Sequence, residues 1–174
     1  MSARQVAFLR SINVGGRRVK NAELIEILEG LGLEEVAAYQ AAGNLIFTGD
    51  IGEQALAAGL TEALGYEVPV LIRSLTEVGE VANCAPFSAA ELEASTGKIQ
   101  VSLLATAPNP AAVETVLSLE SDEDRLRIVG RELYWLPLGK MSDSELNHRP
   151  IDRALGLRTT RTQGTLQRLF KRFG

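Results

Sequence analysis

Strand-type and helix-type hydrophobic patterns alternate along this chain, and the order in which they alternate constrains the fold more than any motif does. QVAFLRSI (residues 5–12) is apolar and partly alternating, as a buried strand requires. Asn21 is expected to cap a helix carrying Leu24, Ile25, Leu28 and Leu31 on one face, with Gly32 as its stop. EVAAYQA and NLIFTG form two short strand-like runs turned at Gly43. Asp50 with Glu53 has the spacing of a helix cap, and the helix stripe is Leu56, Leu60 and Leu64, ending at Gly65. EVPVLIR then predicts a strand. Through Arg73 the order is β-α-β-β-α-β, the split βαβ or ferredoxin-like order.

The remainder echoes this order. Ser74 with Glu77 makes a capping box for a linking helix that runs to about Cys84, before Pro86. SAAELEASTG, polar and built of small residues, is expected to be a linker. KIQVSLLAT predicts a strand, and Asn109-Pro110 opens a helix with Val113, Val116 and Leu117 inward. DRLRIV and ELYWLP follow as a hairpin turned at Gly130-Arg131. A short helix near Ile151–Leu155 precedes a final one with Leu166, Leu169, Phe170 and Phe173 at helical spacing. No final strand is visible in this second part. The expected fold is α+β: two ferredoxin-like (split βαβ) halves, 1–73 and 98–174, the second incomplete, joined by a helix and short linker over 74–97.

Composition narrows the class. With 45% hydrophobic and 23% charged residues in 174, the chain is expected to be globular rather than disordered. Its one cysteine, Cys84, allows no internal disulfide and no multi-cysteine zinc site. Arg10 interrupts the first apolar run, so neither a signal peptide nor a membrane span is expected, and a cytoplasmic location follows as the simplest expectation. Net charge is −4, yet Leu146–Gly174 holds seven Arg or Lys against Asp152, a net of +6, which leaves −10 for the rest. Such a basic end suits nucleic-acid contact, or docking on the acidic body of the same molecule.

LRSINVGG (9–16), the AELIEILEGLG helix, QAAGNLIF (40–47), EVPVLIRS and TTRTQGTLQRL (159–169) follow one another along the chain. In sequence and order these stretches resemble one family, the small bacterial proteins of the DUF1697 domain of unknown function. The resemblance implies membership and no assigned activity. Ser11 and Ala42 stand where the pattern usually has Gly and Ser, and Thr162, Gln163 and Gly164 replace an Asn-Trp-Asn run, with Arg161 and Thr165 in place.

The best candidate site is the glycine turn in LRSINVGGRRVKNAEL, with Arg10, Asn13, Gly15, Gly16, Arg17 and Arg18. Glycines let backbone N–H groups approach a ligand, the following helix start offers unpaired donors, and arginines bind phosphate or carboxylate in a bidentate way. The stretch lacks the Lys-Ser/Thr ending of a P-loop and does not match GxGxxG. A strand-to-helix turn with a solvated basic rim accounts for the same residues and is the commoner arrangement. Gln40, Gly43 and Asn44 form a second polar cluster, most simply a strand turn. Because the first and third strands are expected to run parallel, the two clusters are expected at opposite ends of the sheet.

Catalytic patterns are sparse. His148, the sole histidine, lies in the loop-like SELNHRP, and no GxSxG elbow is present. Cys84 suits a packed thiol. Asp122, Glu123 and Asp124 suit a solvated loop more than a cation site. Trp135 is expected in core packing rather than exposed as a contact. No cofactor, metal or catalytic residue is expected. The function expected is binding of a small anionic ligand or a partner at the glycine turn. The alternatives are nucleic-acid binding through the basic C-terminal segment, for which an RNP1-type aromatic pattern is missing, and an enzyme of unknown reaction.

Overall fold

The computed structural model describes residues 2–41 and 43–174. Among them the architecture is α+β, with two four-stranded antiparallel sheets and seven α-helices. The chain forms two compact units: the residues through Gly79 together with Leu169–Gly174, and Glu80–Arg168.

The first unit has β1 (Arg4–Leu9), α1 (Asn21–Gly30), β2 (Glu34–Ala38), β3 (Asn44–Thr48), α2 (Glu53–Leu64) and β4 (Val70–Ser74). The sheet order is β2-β3-β1-β4. Leu24 and Leu28 of α1 and Leu56 and Leu60 of α2 are buried against Ala7 and Leu9 of β1 and Leu45 and Phe47 of β3, as their helical and strand periods dictate. Leu31, expected inward, is 40% exposed.

Neither expected cap forms here. Lys20 occupies the N-cap of α1, and Asn21 is the first helical residue. Its Nδ2 donates instead to Gln40 O at 3.2 Å. Gly52 precedes α2, with no side-chain cap from Asp50. Glu53 Oε1 accepts from the Ile72 N–H at 2.9 Å, tying the helix start to the edge strand β4.

β1 and β3 run antiparallel, with Arg4 opposite Thr48 and Phe8 opposite Asn44, contrary to the parallel pairing expected. Antiparallel strands run from opposite ends of the sheet, so the end of β1 lies beside the start of β3. This register controls the candidate site.

α3 (Leu75–Asn83) follows β4 and contains the boundary between units. Its capping box is present: Glu77 N–H donates to Ser74 Oγ at 3.1 Å, and Ser74 N–H to Glu77 Oε2 at 2.7 Å.

The second unit contains α4 (Ala89–Ala94), β5 (Gln100–Leu104), α5 (Pro110–Leu117), β6 (Asp124–Val129), β7 (Glu132–Pro137), α6 (His148–Leu155), β8 (Arg158–Thr162) and the start of α7 (Gln163–Phe173). Its sheet order, β6-β7-β5-β8, repeats that of the first unit. Two expectations are corrected. The supposed linker is helix α4, with Glu91 N–H donating to Ser88 Oγ and Ser88 N–H to Glu91 Oε2. The missing last strand is β8, paired to β5 from Gln100↔Thr162 to Leu104↔Arg158, so the second element order is complete.

Leu104, Val116, Leu126, Leu133, Trp135, Ile151 and Leu155 make the core of this unit. Asn109 caps α5 as expected, its Oδ1 accepting from the Ala112 N–H at 2.8 Å, but Leu117 is 37% exposed. Trp135 is buried, as are Tyr134 and Leu136 on the opposite strand face.

Candidate functional site

The loop after β1 is shaped by backbone angles that side chains rarely adopt. Ser11 has φ 57°, Gly15 67° and Gly16 82°. At both glycines a Cβ would meet nothing within 4 Å, so the need for glycine lies in φ alone. Ser11, where the family pattern has Gly, keeps the left-handed angle without it.

Asn13 holds the loop together. Its Oδ1 accepts from the Val19 N–H at 3.1 Å, and its Nδ2 donates to Ala41 O at 3.3 Å. The second bond reaches the β2–β3 turn. So does Asn21 through Gln40 O, and Leu9 N–H donates to Gly43 O at 2.8 Å. The glycine turn and the Gln40–Asn44 cluster therefore meet at one end of the sheet, because β1 and β3 are antiparallel. The expectation that they lie apart is overturned. Gly43 is required by contact as well as by angle: at φ 71° its Cβ would lie 2.9 Å from Leu9 Cβ. Ala42, between these anchors, lies outside the described residues.

A groove of about 570 Å³ opens here, lined by Asn13, Gly16, Arg17, Arg18, Lys20 and Asn21 with Val19 and Ala41. Arg10 and Gly15 are not among its walls; the Arg10 N–H donates to Pro69 O at 3.0 Å. The Arg17 guanidinium stands 4.1 Å over the Tyr66 ring, and Tyr66 Oη donates to Ile12 O at 3.4 Å. Arg17 is thus held in place by a cation–π contact. The first bond within α1 runs from Leu24 N–H to Lys20 O at 3.2 Å, so the N–H groups before it lie outside the helix ladder and face the positive end of its dipole.

The polar residues of the second unit are joined to one another. His148 starts helix α6 rather than lying in a loop. Its Nδ1 is 3.2 Å from Arg158 Nη2, and since a guanidinium only donates, Nδ1 is the acceptor of a neutral ring. Burial and then the Arg158 charge hold its pKa below the usual histidine value. Arg158 also donates to Asp152 Oδ1 at 2.8 Å and to Ser102 Oγ at 2.9 Å. The Trp135 and His148 rings meet edge to face at 5.1 Å.

Asp124, expected in a solvated acidic run, is buried and accepts from Trp135 Nε1 and Ser144 Oγ, each at 2.7 Å. The spacing of Asp124 and Trp135 across the β6–β7 hairpin carried that pairing; an acidic run alone concealed it. Tyr134 Oη donates to Val81 O at 3.4 Å, and burial pushes its phenol far above the ordinary value. Arg161 bonds Thr159 Oγ1 and Thr160 O, and burial pulls its pKa down to about 10. Two of the seven C-terminal cations, Arg158 and Arg161, are therefore engaged within the second unit. Among the described residues no group of His, Cys, Asp and Glu is placed to hold a metal ion, and no helix is long and apolar enough to cross a membrane.

The solved structure of a conserved bacterial protein from Streptococcus pneumoniae is similar to this chain, with a TM-score of 0.70 at 23% sequence identity over 98% of each chain. That likeness establishes a shared fold. No curated protein matches the chain. The model of a family described as a protein of unknown function, DUF1697, matches residues 2–134, a span that includes all four strands of the first sheet with the whole glycine turn, and β5, β6 and the start of β7 in the second. The chain belongs to the DUF1697 family.

Proposed function

We propose that the protein binds a small anionic ligand in the groove of the first unit, between the glycine turn and the start of α1. The observation that carries this reading is the composition of the groove: Arg17, Arg18 and Lys20 line it, and among the described residues none of its walls is acidic. Arg17 is already immobilised on Tyr66, which lowers the ordering cost of a bidentate contact. Asn13 acts differently from its expected ligand role. Both ends of its amide brace the loop, so it shapes the groove. Gly16 supplies an open wall, and Arg10 and Gly15 serve the turn from outside the groove.

The test is native mass spectrometry of the purified protein for a retained anion, repeated on Arg17→Glu with Arg18→Glu. Both side chains are exposed, so the double variant should lose no more than the roughly 0.5–1 kcal/mol of the Arg17–Tyr66 contact while losing the retained molecule. Undiminished retention by the double variant would sink the reading.

A further inference from the structure

Two edge strands of this chain close an outward peptide group in the same way. On β6 the Leu126 N–H donates to Glu120 Oε2 at 2.9 Å, and the next residue, Arg127, turns its Nη1 back to donate to Leu126 O at 2.8 Å. The same Nη1 donates to Glu120 Oε2 at 2.6 Å, so one carboxylate oxygen takes the strand amide and the guanidinium together. On β4 the Ile72 N–H donates to Glu53 Oε1 at 2.9 Å, and Arg73 Nη1 donates to Ile72 O at 3.1 Å.

β8 is the edge of the second sheet that corresponds to β4 of the first. The Gln163 N–H donates to Ile99 O at 2.9 Å, so the bonded rungs of the β5–β8 ladder fall at Gln163, Arg161 and Thr159. Thr160 therefore turns its N–H and C=O outward. Arg161 Nη1 donates to Thr160 O at 2.9 Å, just as Arg73 and Arg127 do on their own strands. The acid has no counterpart. Glu53 is the first residue of α2, the helix before β4; the first residue of α6, the helix before β8, is His148. The His148 ring is turned to Arg158 instead. Among the described residues no acceptor is bonded to the Thr160 N–H, and Thr160 is exposed.

We propose that the outer edge of β8 binds the carboxylate of an acidic side chain carried on an extended partner segment. The carboxylate takes the Thr160 N–H and the Arg161 guanidinium together, as Glu120 takes Leu126 and Arg127. The partner backbone runs along the outward groups of Arg158 and Thr162, adding to the sheet as a strand. Charge selects the partner. The Leu146–Gly174 segment, which contains β8, has a net charge of +6, and a second copy of RTTRT would set arginine against arginine.

The experiment is a titration of the isotopically labelled protein with acetyl-Thr-Glu-Val-Glu-Thr-amide, followed by the backbone amide resonances of residues 158–162. The comparators are the same peptide with Gln in place of Glu, and acetate. Saturable shifts are expected, largest at Thr160. The Glu peptide should bind at least about tenfold more tightly than the Gln peptide, the value of a charge-assisted hydrogen bond. Acetate should move the same amides but saturate only at higher concentration. Thr160→Pro removes the outward donor at a position that gives no N–H to the β5 ladder, where proline is tolerated, so it should keep the fold and lose the binding. Should that variant fail to fold, the Glu and Gln peptides decide the matter on the unaltered protein. The proposal is overturned by the absence of saturable shifts at 158–162 with millimolar Glu peptide, by equal affinity for the Gln peptide, or by undiminished affinity in folded Thr160→Pro. Acetate binding as tightly as the Glu peptide would overturn the partner segment.

Discussion

Gly16 and Gly43 both adopt positive φ, and substituting them separates two kinds of cost. At Gly16 a side chain meets open space, so Gly16→Val carries backbone strain alone, about 1–3 kcal/mol. At Gly43 the same strain is joined by a 2.9 Å approach to Leu9 Cβ, so Gly43→Val should cost more than Gly16→Val. Urea midpoints of the two variants check the order, and equal midpoints would show that the β2–β3 turn yields freely. His148 makes a pH-dependent contribution with a definite sign. Its pKa is held below 6.5 in the folded protein, so the unfolded chain takes up the proton first. Stability should be complete above that pH and fall as pH drops from 6.5 towards the depressed folded value. His148→Gln should lack this part of the slope in denaturation curves measured across that window. The protons of Asn13 and Gln163 could not be assigned roles from sequence, because their partners lie far away along the chain: Ala41 for Asn13, and Val81 and Cys84 for Gln163.

Elements with a strong hydrophobic period were legible in the sequence, and those without one were not. α1, α2 and α5 announce themselves through stripes whose buried members include Leu24, Leu28, Leu56, Leu60 and Val116. β8 is RTTRT, with no apolar residue, and it is held by its ladder to β5 and by Arg158 and Arg161 bonding inside their own unit. α4 buries no residue, so only its Ser88–Glu91 box could have marked it. The glycine turn was visible as a cluster of residue types. Its meeting with Gln40–Gly43 depended on strand direction, which pattern alone does not fix. On α7, Phe170 lies against Gly79, where an added Cβ would sit 2.6 Å from Cε2 of the ring. Phe170 is half-buried, so Phe170→Ala should cost somewhat less than the ~3 kcal/mol of a fully buried ring. Gly79→Ala should also destabilise, by crowding rather than by a cavity. An unchanged midpoint in both variants would mean that α7 does not pack there.

At the scale of the whole molecule, the two sheets share one strand order although the chain shows no residue-level repeat, since topology follows from element order and handedness more than from identity of side chains. The charge asymmetry has a limited reach. With Arg158 and Arg161 engaged, the net charge of −4 should keep the protein off nucleic acid at physiological salt. A gel-shift titration with RNA and DNA checks this, and retention that weakens steeply with salt would contradict it.

The first unit is closed by residues far away along the chain. Leu169–Gly174 belong to it: Arg4 Nη1 donates to Phe173 O at 3.1 Å, and the Tyr39 and Phe173 rings meet edge to face at 6.3 Å. A ribosome makes those residues only after all of Glu80–Arg168, so the part synthesised first is the part completed last. The nascent first sheet must wait without its final partners while the second unit, contiguous in sequence, has every one of its residues in hand.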